Sequence, residues 1–172
     1  SIREELVMSL ESFVGPQRNI LAETPEHSHT VRIEDPILMN DELDKLKHIS
    51  DNSLRTKVIS TLFDAKDEGA FDKILKRICE ESVEAIIEEY TFIIIRDRGT
   101  CAEKAALPAL FATGAIHHHL VETSMRARIG IIVESAESRE VHHFALLFGY
   151  GADCVNPYLA YQAVEYLSGE GH

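Results

Sequence analysis

A chain of 172 residues is long enough for one domain with a substantial core, since folding at this size buries roughly 70% of the surface that the unfolded chain exposes. The apolar fraction of 45% and the charged fraction of 27% are ordinary for a globular protein and exclude a disordered, collagen-like or disulfide-scaffold composition. The 29 acidic and 17 basic residues give a formal net charge of -12, which excludes nucleic acid and membrane surfaces as general partners.

The cysteines stand far apart in the sequence, with no CxxC pair and no spacing that suits a metal site. We expect Cys79, Cys101 and Cys154 to be free thiols of a cytosolic protein. The sequence shows neither a secretory leader nor an apolar stretch of about 20 residues that would span a bilayer. A cytoplasmic location is therefore expected.

The first third of the chain differs in pattern from the rest. A short helical pattern at Ile2 to Phe13 precedes the run from Val14 to Pro36, which shows neither helical nor strand periodicity. A run of that length without structure is uncommon inside a compact domain, so we expect extended connecting chain that serves as a linker or lies along a neighbouring domain. Asn40 then offers an N-cap for a short helix that runs through Leu43 and Leu46.

From Lys57 onward, short runs rich in β-branched or aromatic residues alternate with helical patterns. These runs are Val58 to Phe63, Thr91 to Ile95, Ile129 to Val133, and Ala152 to Val155. Apolar runs without alternation are typical of parallel strands covered on both faces. The sequence therefore predicts an α/β fold of about four parallel βα units, forming a half-barrel or a small open parallel sheet. Residues 1–56 are assigned to the N-terminal helix and connecting segment, and residues 57–172 to the α/β domain.

Two of the helical patterns differ in their apolar faces. The helix over Phe71 to Glu88 is apolar on one side and charged on the other, which is typical of an outer-layer helix. The helix that begins near Pro108 has one stripe of Leu110, Phe111, Gly114, His118, Val121 and Met125, and an opposite stripe of Ala109, Ala112, Ile116 and Leu120. We expect the second stripe to be covered by a neighbouring domain or sheet in the intact protein and, in the isolated chain, by a second copy in a homodimer.

Polar residues follow the predicted strands at their carboxyl ends, where ligand and catalytic groups collect in parallel βα architectures. The candidates for ligand binding are Asp97, Arg98, Glu134 and Asn156. In one interpretation Arg98 holds an anionic or carboxylate-bearing ligand, and Asp97 or Glu134 acts as acid or base. In the other, these residues cap the following helices and pair with one another. No nucleophile accompanies them, so no catalytic residue is assigned.

Two histidine clusters, His117 to His119 and His142 to His143, lie in predicted helices. Adjacent helical residues diverge by about 100°, so neither cluster directs three ligands at one ion, and no HExxH spacing is present. We expect hydrogen-bonded or interface histidines and no specific zinc or iron binding. Gly149 and Gly151 are expected to end the preceding helix and turn the chain into the last strand.

The residues at the strand ends and helix starts belong to several longer motifs. These are Ile94 to Arg98, Ala112 to Leu120, Val133 to Ala145, and Gly149 to Asp153 continuing into Asn156 to Ala160, with Gly15 to Asn19 and Pro36 to Leu38 upstream. In this order they resemble the central domain of the glutamate synthase large chain, and the resemblance covers nearly the whole chain. One departure lies at Thr61 to Ala65, where the family pattern places the acidic residue slightly before Asp64.

The resemblance implies one part of a relay enzyme. In that family an amidotransferase domain releases ammonia from glutamine, and a barrel domain with FMN and an iron-sulfur cluster reduces the iminoglutarate formed from ammonia and 2-oxoglutarate. The central domain joins these two domains. The resemblance thus implies a connecting and scaffolding domain of an oxidoreductase of glutamate biosynthesis and nitrogen assimilation, without a cofactor of its own and inert in isolation. NADPH and ferredoxin both stay open as the electron donor of the parent enzyme.

A second hypothesis is a self-contained half-barrel enzyme or a binding module for a small carboxylate ligand. It relies on Asp97, Arg98 and Glu134 at the strand ends. The two hypotheses differ in whether the chain needs further domains to act.

Overall fold

The computed structural model describes residues 10–19, 21–22, 24–49 and 54–169. Its strands and helices are, in chain order, β1 (Ser12–Val14), β2 (Val31–Ile33), α1 (Asn40–Lys47), β3 (Thr56–Ser60), β4 (Leu62–Asp64), α2 (Ala70–Ile87), β5 (Phe92–Arg96), β6 (Lys104–Ala106), α3 (Ala109–Glu122), β7 (Gly130–Glu134), α4 (Val141–Gly149), β8 (Cys154–Asn156) and α5 (Tyr158–Gly169). The helix predicted over Ile2 to Phe13 lies, up to Ser9, outside the described residues. Its last residues, Ser12 and Phe13, belong to β1.

Four parallel strands form the central sheet in the spatial order β3–β5–β7–β8. Each crossover moves the chain to the next strand in the same direction, so the crossover helices share one face of the sheet. Helices α2, α3 and α4 pack on that face. The predicted α/β fold with four parallel strands is confirmed, and the sheet is open rather than closed into a barrel. No helix in the described part of the chain is long and apolar enough to cross a membrane.

The unbroken apolar runs are explained by burial on both faces of this sheet. Ile93 and Ile95 of β5 pack in the cluster with the crossover helices, while Phe92 and Ile94 pack in a cluster on the opposite face. The opposite face is covered by Val14, Ile33, Leu38, Leu43 and Leu46 of the N-terminal segment. Since the chain covers both faces itself, it buries a core of its own and we expect it to fold in isolation.

The described part of the segment from Val14 to Pro36 contains one short 3₁₀ helix, Pro25–Ser28, and its two ends pack on the sheet of its own chain through Val14 and Ile33. β1 and β2 pair antiparallel within it. Just beyond it, the amide of Leu38 donates to the carbonyl of Val155 at 2.8 Å, and the amide of Val155 donates to the carbonyl of Pro36 at 2.9 Å. The outer edge of β8 is therefore covered by the N-terminal segment, which reduces the exposed strand edge that an open sheet leaves.

The two apolar stripes of α3 are placed the other way round from the prediction: the alanine-containing stripe is buried, and the other stripe is partly exposed. Ala112, Ile116 and Leu120 are fully buried in the main core, whereas Phe111 and Val121 of the other stripe are 48% and 50% exposed. The prediction that a neighbouring domain or a second copy covers the alanine-containing stripe was wrong, because the sheet of the same chain covers it. A homodimer stays a prediction, without support from this stripe.

Candidate functional site

The candidate residues at the strand ends meet at the carboxyl edge of the sheet. The last register positions pair Ser60 with Arg96, Arg96 with Glu134, and Glu134 with Asn156. Neighbouring residues at paired positions share a face of the sheet, and here it is the face covered by the N-terminal segment. Arg98 reaches the same place from the turn after β5. The structure thus brings Arg98, Glu134 and Asn156 together.

Glu134 is a buried carboxylate surrounded by cationic side chains. Its side chain is 0% exposed, and Lys47 Nζ and Arg96 Nε lie 3.2 Å and 3.5 Å from Oε2. Arg98 Nε donates a hydrogen bond to Oε1. Lys47 belongs to α1, so this carboxylate also joins the N-terminal segment to the sheet. Lys47 was not predicted from the sequence, and Arg96 was expected at the strand ends without being a candidate for ligand binding.

Asp97 and Tyr158 belong to the same cluster. Asp97 is buried, and its Oδ2 accepts hydrogen bonds from Ser135 Oγ at 3.1 Å and from the amide of Ala136 at 2.8 Å. The guanidinium carbon of Arg98 lies 3.9 Å from the ring centroid of Tyr158. Burial, together with the nearby negative charge of Asp97, raises the pKa of Tyr158 to about 12. Tyr158 is therefore a neutral phenol at physiological pH.

Asn156 connects β8 to the start of α1. Its Nδ2 donates to the carbonyl of Leu38 at 2.8 Å and to Asn40 Oδ1 at 3.1 Å. Asn40 is the first residue of α1, so its prediction as N-cap was wrong by one position, because its side chain accepts from Asn156 instead of capping the helix. Met39 occupies the N-cap position, and its amide donates to Glu42 Oε2 at 2.8 Å.

Four buried polar atoms of this cluster have no hydrogen-bond partner among the described residues. They are Arg96 Nε, Asp97 Oδ1, Glu134 Oε2 and Asn156 Oδ1. Buried polar atoms in native proteins are nearly always satisfied by protein, water or ligand. The described side chains therefore leave hydrogen-bonding capacity unused at the carboxyl edge.

Comparison with known protein families connects this architecture to one of them. The model of the glutamate synthase central domain matches residues 1–172, which is the whole chain. The chain belongs to the glutamate synthase central-domain family.

Three relatives illustrate how this domain is used. The chain is 38% identical over 169 residues to the NADH glutamate synthase of Schizosaccharomyces pombe. It is 39% identical over 163 residues to the chloroplastic ferredoxin-dependent glutamate synthase of Oryza sativa subsp. japonica, and 35% identical over 171 residues to the NADPH glutamate synthase large chain of Bacillus subtilis. These matches cover 96%, 92% and 99% of this chain but 8%, 10% and 11% of the relatives. Other domains accompany this one in those proteins.

A second polar network of this central domain lies around His117 in α3. Arg126 Nε donates to His117 Nδ1 at 3.1 Å, and its Nη2 donates to the carbonyl of Gly151 at 2.8 Å and to Asp153 Oδ2 at 3.0 Å. His117 is thus hydrogen-bonded, as predicted. Burial, followed by the positive charge of Arg126, lowers the pKa of His117. Within the described ranges, no group of three or more His, Cys, Asp or Glu side chains is placed to hold a metal ion.

The lowered pKa of His117 makes the stability of the domain depend on pH. The folded state binds a proton at this imidazole more weakly than the unfolded chain does, so its contribution is complete above the ordinary value of 6.5 and is lost as the pH falls below it. An NMR titration should place the His117 midpoint below 6.5, and His117→Gln should flatten the decline in unfolding free energy between about pH 7 and pH 5. A midpoint above that value would contradict this account of the Arg126 contact.

Proposed function

We propose that this chain is the connecting and scaffolding domain of a glutamate synthase large chain and carries no active site of its own. The carboxyl edge, where catalytic groups lie in parallel βα architectures, is occupied by contacts that join α1 to the sheet. These contacts are the Lys47–Glu134 ion pair and the hydrogen bond between Asn156 and Asn40. They support the interpretation that these residues hold the fold together.

The observation that carries the proposal is the orientation of α5. Tyr158 and Tyr161 at its start are partly buried on the domain, while no described residue of the helix is fully buried. At 100° per residue, the opposite arc is apolar and consists of Leu159, Ala160, Ala163, Val164, Tyr166 and Leu167. Leu159, Val164 and Leu167 are 49%, 65% and 50% exposed. An apolar arc that faces outward is typical of a helix that packs on another protein surface.

The occupant that we propose for this arc is another domain of the same polypeptide. The matched relatives contain roughly ten times the length of this chain, since the match covers 8% to 11% of them. In the proposed parent enzyme, an amidotransferase domain and an FMN-binding domain flank the central domain. The transfer of the glutamine amide nitrogen to 2-oxoglutarate takes place in those domains.

FMN and the iron-sulfur cluster of the proposed parent belong to its other domains. The three free cysteines of this chain lie in α2, in the loop before β6 and in β8. An iron-sulfur cluster needs several thiolates that converge on it, and the described cysteines form no such group. These residues therefore do not fit a cluster site.

The choice of electron donor is also made elsewhere in the proposed parent. Relatives named for NADH, ferredoxin and NADPH match this chain at 38%, 39% and 35% identity, over nearly its full length. A domain common to all three kinds of enzyme does not select the donor.

The apolar arc of α5 supplies the test of this function. In the full-length protein, Val164→Glu combined with Leu167→Glu should reduce glutamine-dependent glutamate formation by about tenfold or more, since charges on a buried contact face separate the domains that exchange ammonia. Glutamine hydrolysis should persist, so the ratio of glutamine consumed to glutamate formed should rise. Both rates are measured on the same preparation.

Val141→Glu is the matched control, because Val141 on α4 is 86% exposed and lies outside the arc. It should leave both rates unchanged. The isolated chain should hydrolyse no glutamine, form no glutamate and bind no FMN. Turnover by the isolated chain, or full coupling in the α5 variant, would show that the chain is not a scaffold of this kind.

A further inference from the structure

Arg96 and Arg98 contact Glu134 through their inner nitrogen atoms. Arg98 Nε donates to Oε1, and Arg96 Nε lies 3.5 Å from Oε2, so one carboxylate lies between the two guanidinium groups. The terminal Nη atoms of both arginines have no hydrogen-bond partner in the described part of the chain. Each arginine therefore presents an outer edge with unused donors.

These outer edges are held in place and reach solvent. Glu134 is 0% exposed; it accepts a hydrogen bond from Arg98 and forms an ion pair with Arg96, and the ring of Tyr158 lies against Arg98. The side chains of Arg96 and Arg98 are 40% and 28% exposed, so their tips are accessible. A planar guanidinium group that is already oriented loses little conformational freedom when it binds a ligand.

The local charge at this edge is balanced although the chain as a whole is acidic. The carboxyl edge gathers three cations, Lys47, Arg96 and Arg98, and they are balanced by the buried carboxylates of Glu134 and Asp97 and by the exposed Asp44, which pairs with Lys47. The formal net charge of the whole chain is -12. A charge-balanced edge on such an acidic chain repels a negatively charged group less than the rest of the surface does.

We propose that the outer edges of Arg96 and Arg98 form a binding site for a carboxylate group. A carboxylate fits because the paired N–H donors of a guanidinium edge match its two oxygens in a bidentate arrangement. The buried carboxylates of Glu134 and Asp97 already offset the positive charge of the two arginines, which favours a singly charged carboxylate over a doubly charged phosphate. The carboxylate comes from a free dicarboxylate or from an acidic side chain of a neighbouring domain. The site does not depend on the proposed scaffolding role and stands or falls separately from the α5 test.

Calorimetric titration of the chain with sodium glutarate, at constant ionic strength, tests the first source. We expect a Kd on the order of 1 mM, no binding of the neutral analogue glutaramide, and at least tenfold weaker binding of glutarate to Arg96→Gln. Arg96 is the residue to change because its Nε makes no hydrogen bond, so Glu134 keeps its contacts with Arg98 and Lys47. Arg139→Gln is the control for loss of one positive charge, since Arg139 is exposed before α4.

Limited proteolysis of the full-length protein tests the second source. If glutarate does not bind the isolated chain, Arg96→Gln should still speed cleavage at the boundaries of this domain, and Arg139→Gln should not. That result assigns the carboxylate to a neighbouring domain. Thermal unfolding of each isolated variant confirms that it is folded. The absence of both glutarate binding and an Arg96-specific change in proteolysis would overturn the proposal.

Discussion

Replacing Glu134 with glutamine should lower the free energy of unfolding by about 3 kcal/mol, because removing one partner of a buried ion pair leaves the others uncompensated. Lys47, Arg96 and Arg98 surround this carboxylate, which is 0% exposed. The three cations are 15%, 40% and 28% exposed, so solvent screens part of the loss and the effect falls at the lower end of the usual range. For a domain of this size, the melting temperature should drop by roughly 6–12 °C.

Asp44→Asn is the matched control for this substitution. Asp44 Oδ1 pairs with the same Lys47 at 3.4 Å, but its side chain is 66% exposed, so its loss should change the free energy of unfolding by less than about 0.5 kcal/mol. Salt provides a second readout. Added salt should recover part of the stability of Glu134→Gln, because it screens the repulsion among the three cations. Equal effects of the two substitutions would show that the burial of Glu134 has little energetic consequence.

The parallel sheet and its long helices were predictable because their signals are local and strong. The helix predicted over Phe71 to Glu88 is found at Ala70–Ile87, and the strand predicted over Ile129 to Val133 is found at Gly130–Glu134. A helix of 18 residues repeats its apolar period five times, which leaves little ambiguity. Buried parallel strands are equally distinctive, since apolar residues fill both of their faces.

The packing of the N-terminal segment was not predictable from local pattern. β1 and β2 have three residues each, which is too short to establish an alternation. Their burial depends on Phe92 and Ile94, residues that lie far along the chain. In α3 the helical period predicted both apolar stripes, yet period alone does not decide which stripe faces the sheet. That choice depends on the three-dimensional arrangement of the crossovers.

The candidate site was partly predictable for a topological reason. Strand ends of a parallel sheet meet at one edge, which identified Arg98, Glu134 and Asn156 as neighbours. For Arg96 the sequence pattern was informative. Arg96 shares its strand face with Phe92 and Ile94, so its side chain lies on the face of the sheet that the N-terminal segment covers. Lys47 carried none, since it contacts Glu134 from 87 residues earlier in the chain. Contacts of that kind appear only once the tertiary structure is known.

Gly151 ends the turn after α4, as the sequence predicted. The side chain of His117, which lies against it, explains why a larger residue is not tolerated there. Its φ is +106°, a conformation that L residues rarely adopt, and an added Cβ would overlap the imidazole of His117, lying 2.5 Å from Cγ. Arg126 holds both residues, since it donates to His117 Nδ1 and to the Gly151 carbonyl. The imidazole ring therefore cannot move aside without breaking its hydrogen bond with Arg126.

Gly151→Ala should accordingly lower the free energy of unfolding by about 3–5 kcal/mol, through backbone strain and overpacking together. Gly149→Ala is its matched control two residues earlier. Nothing lies within 4 Å of an added Cβ at Gly149, which is the last residue of α4, so that substitution should be neutral or stabilise the domain by up to about 1 kcal/mol. Adding His117→Ala to Gly151→Ala removes the overlap and should recover part of the loss, while the strain of the positive φ remains. Chemical denaturation of the three variants and the parent chain measures these differences, and equal midpoints for Gly151→Ala and Gly149→Ala would refute the overlap with His117.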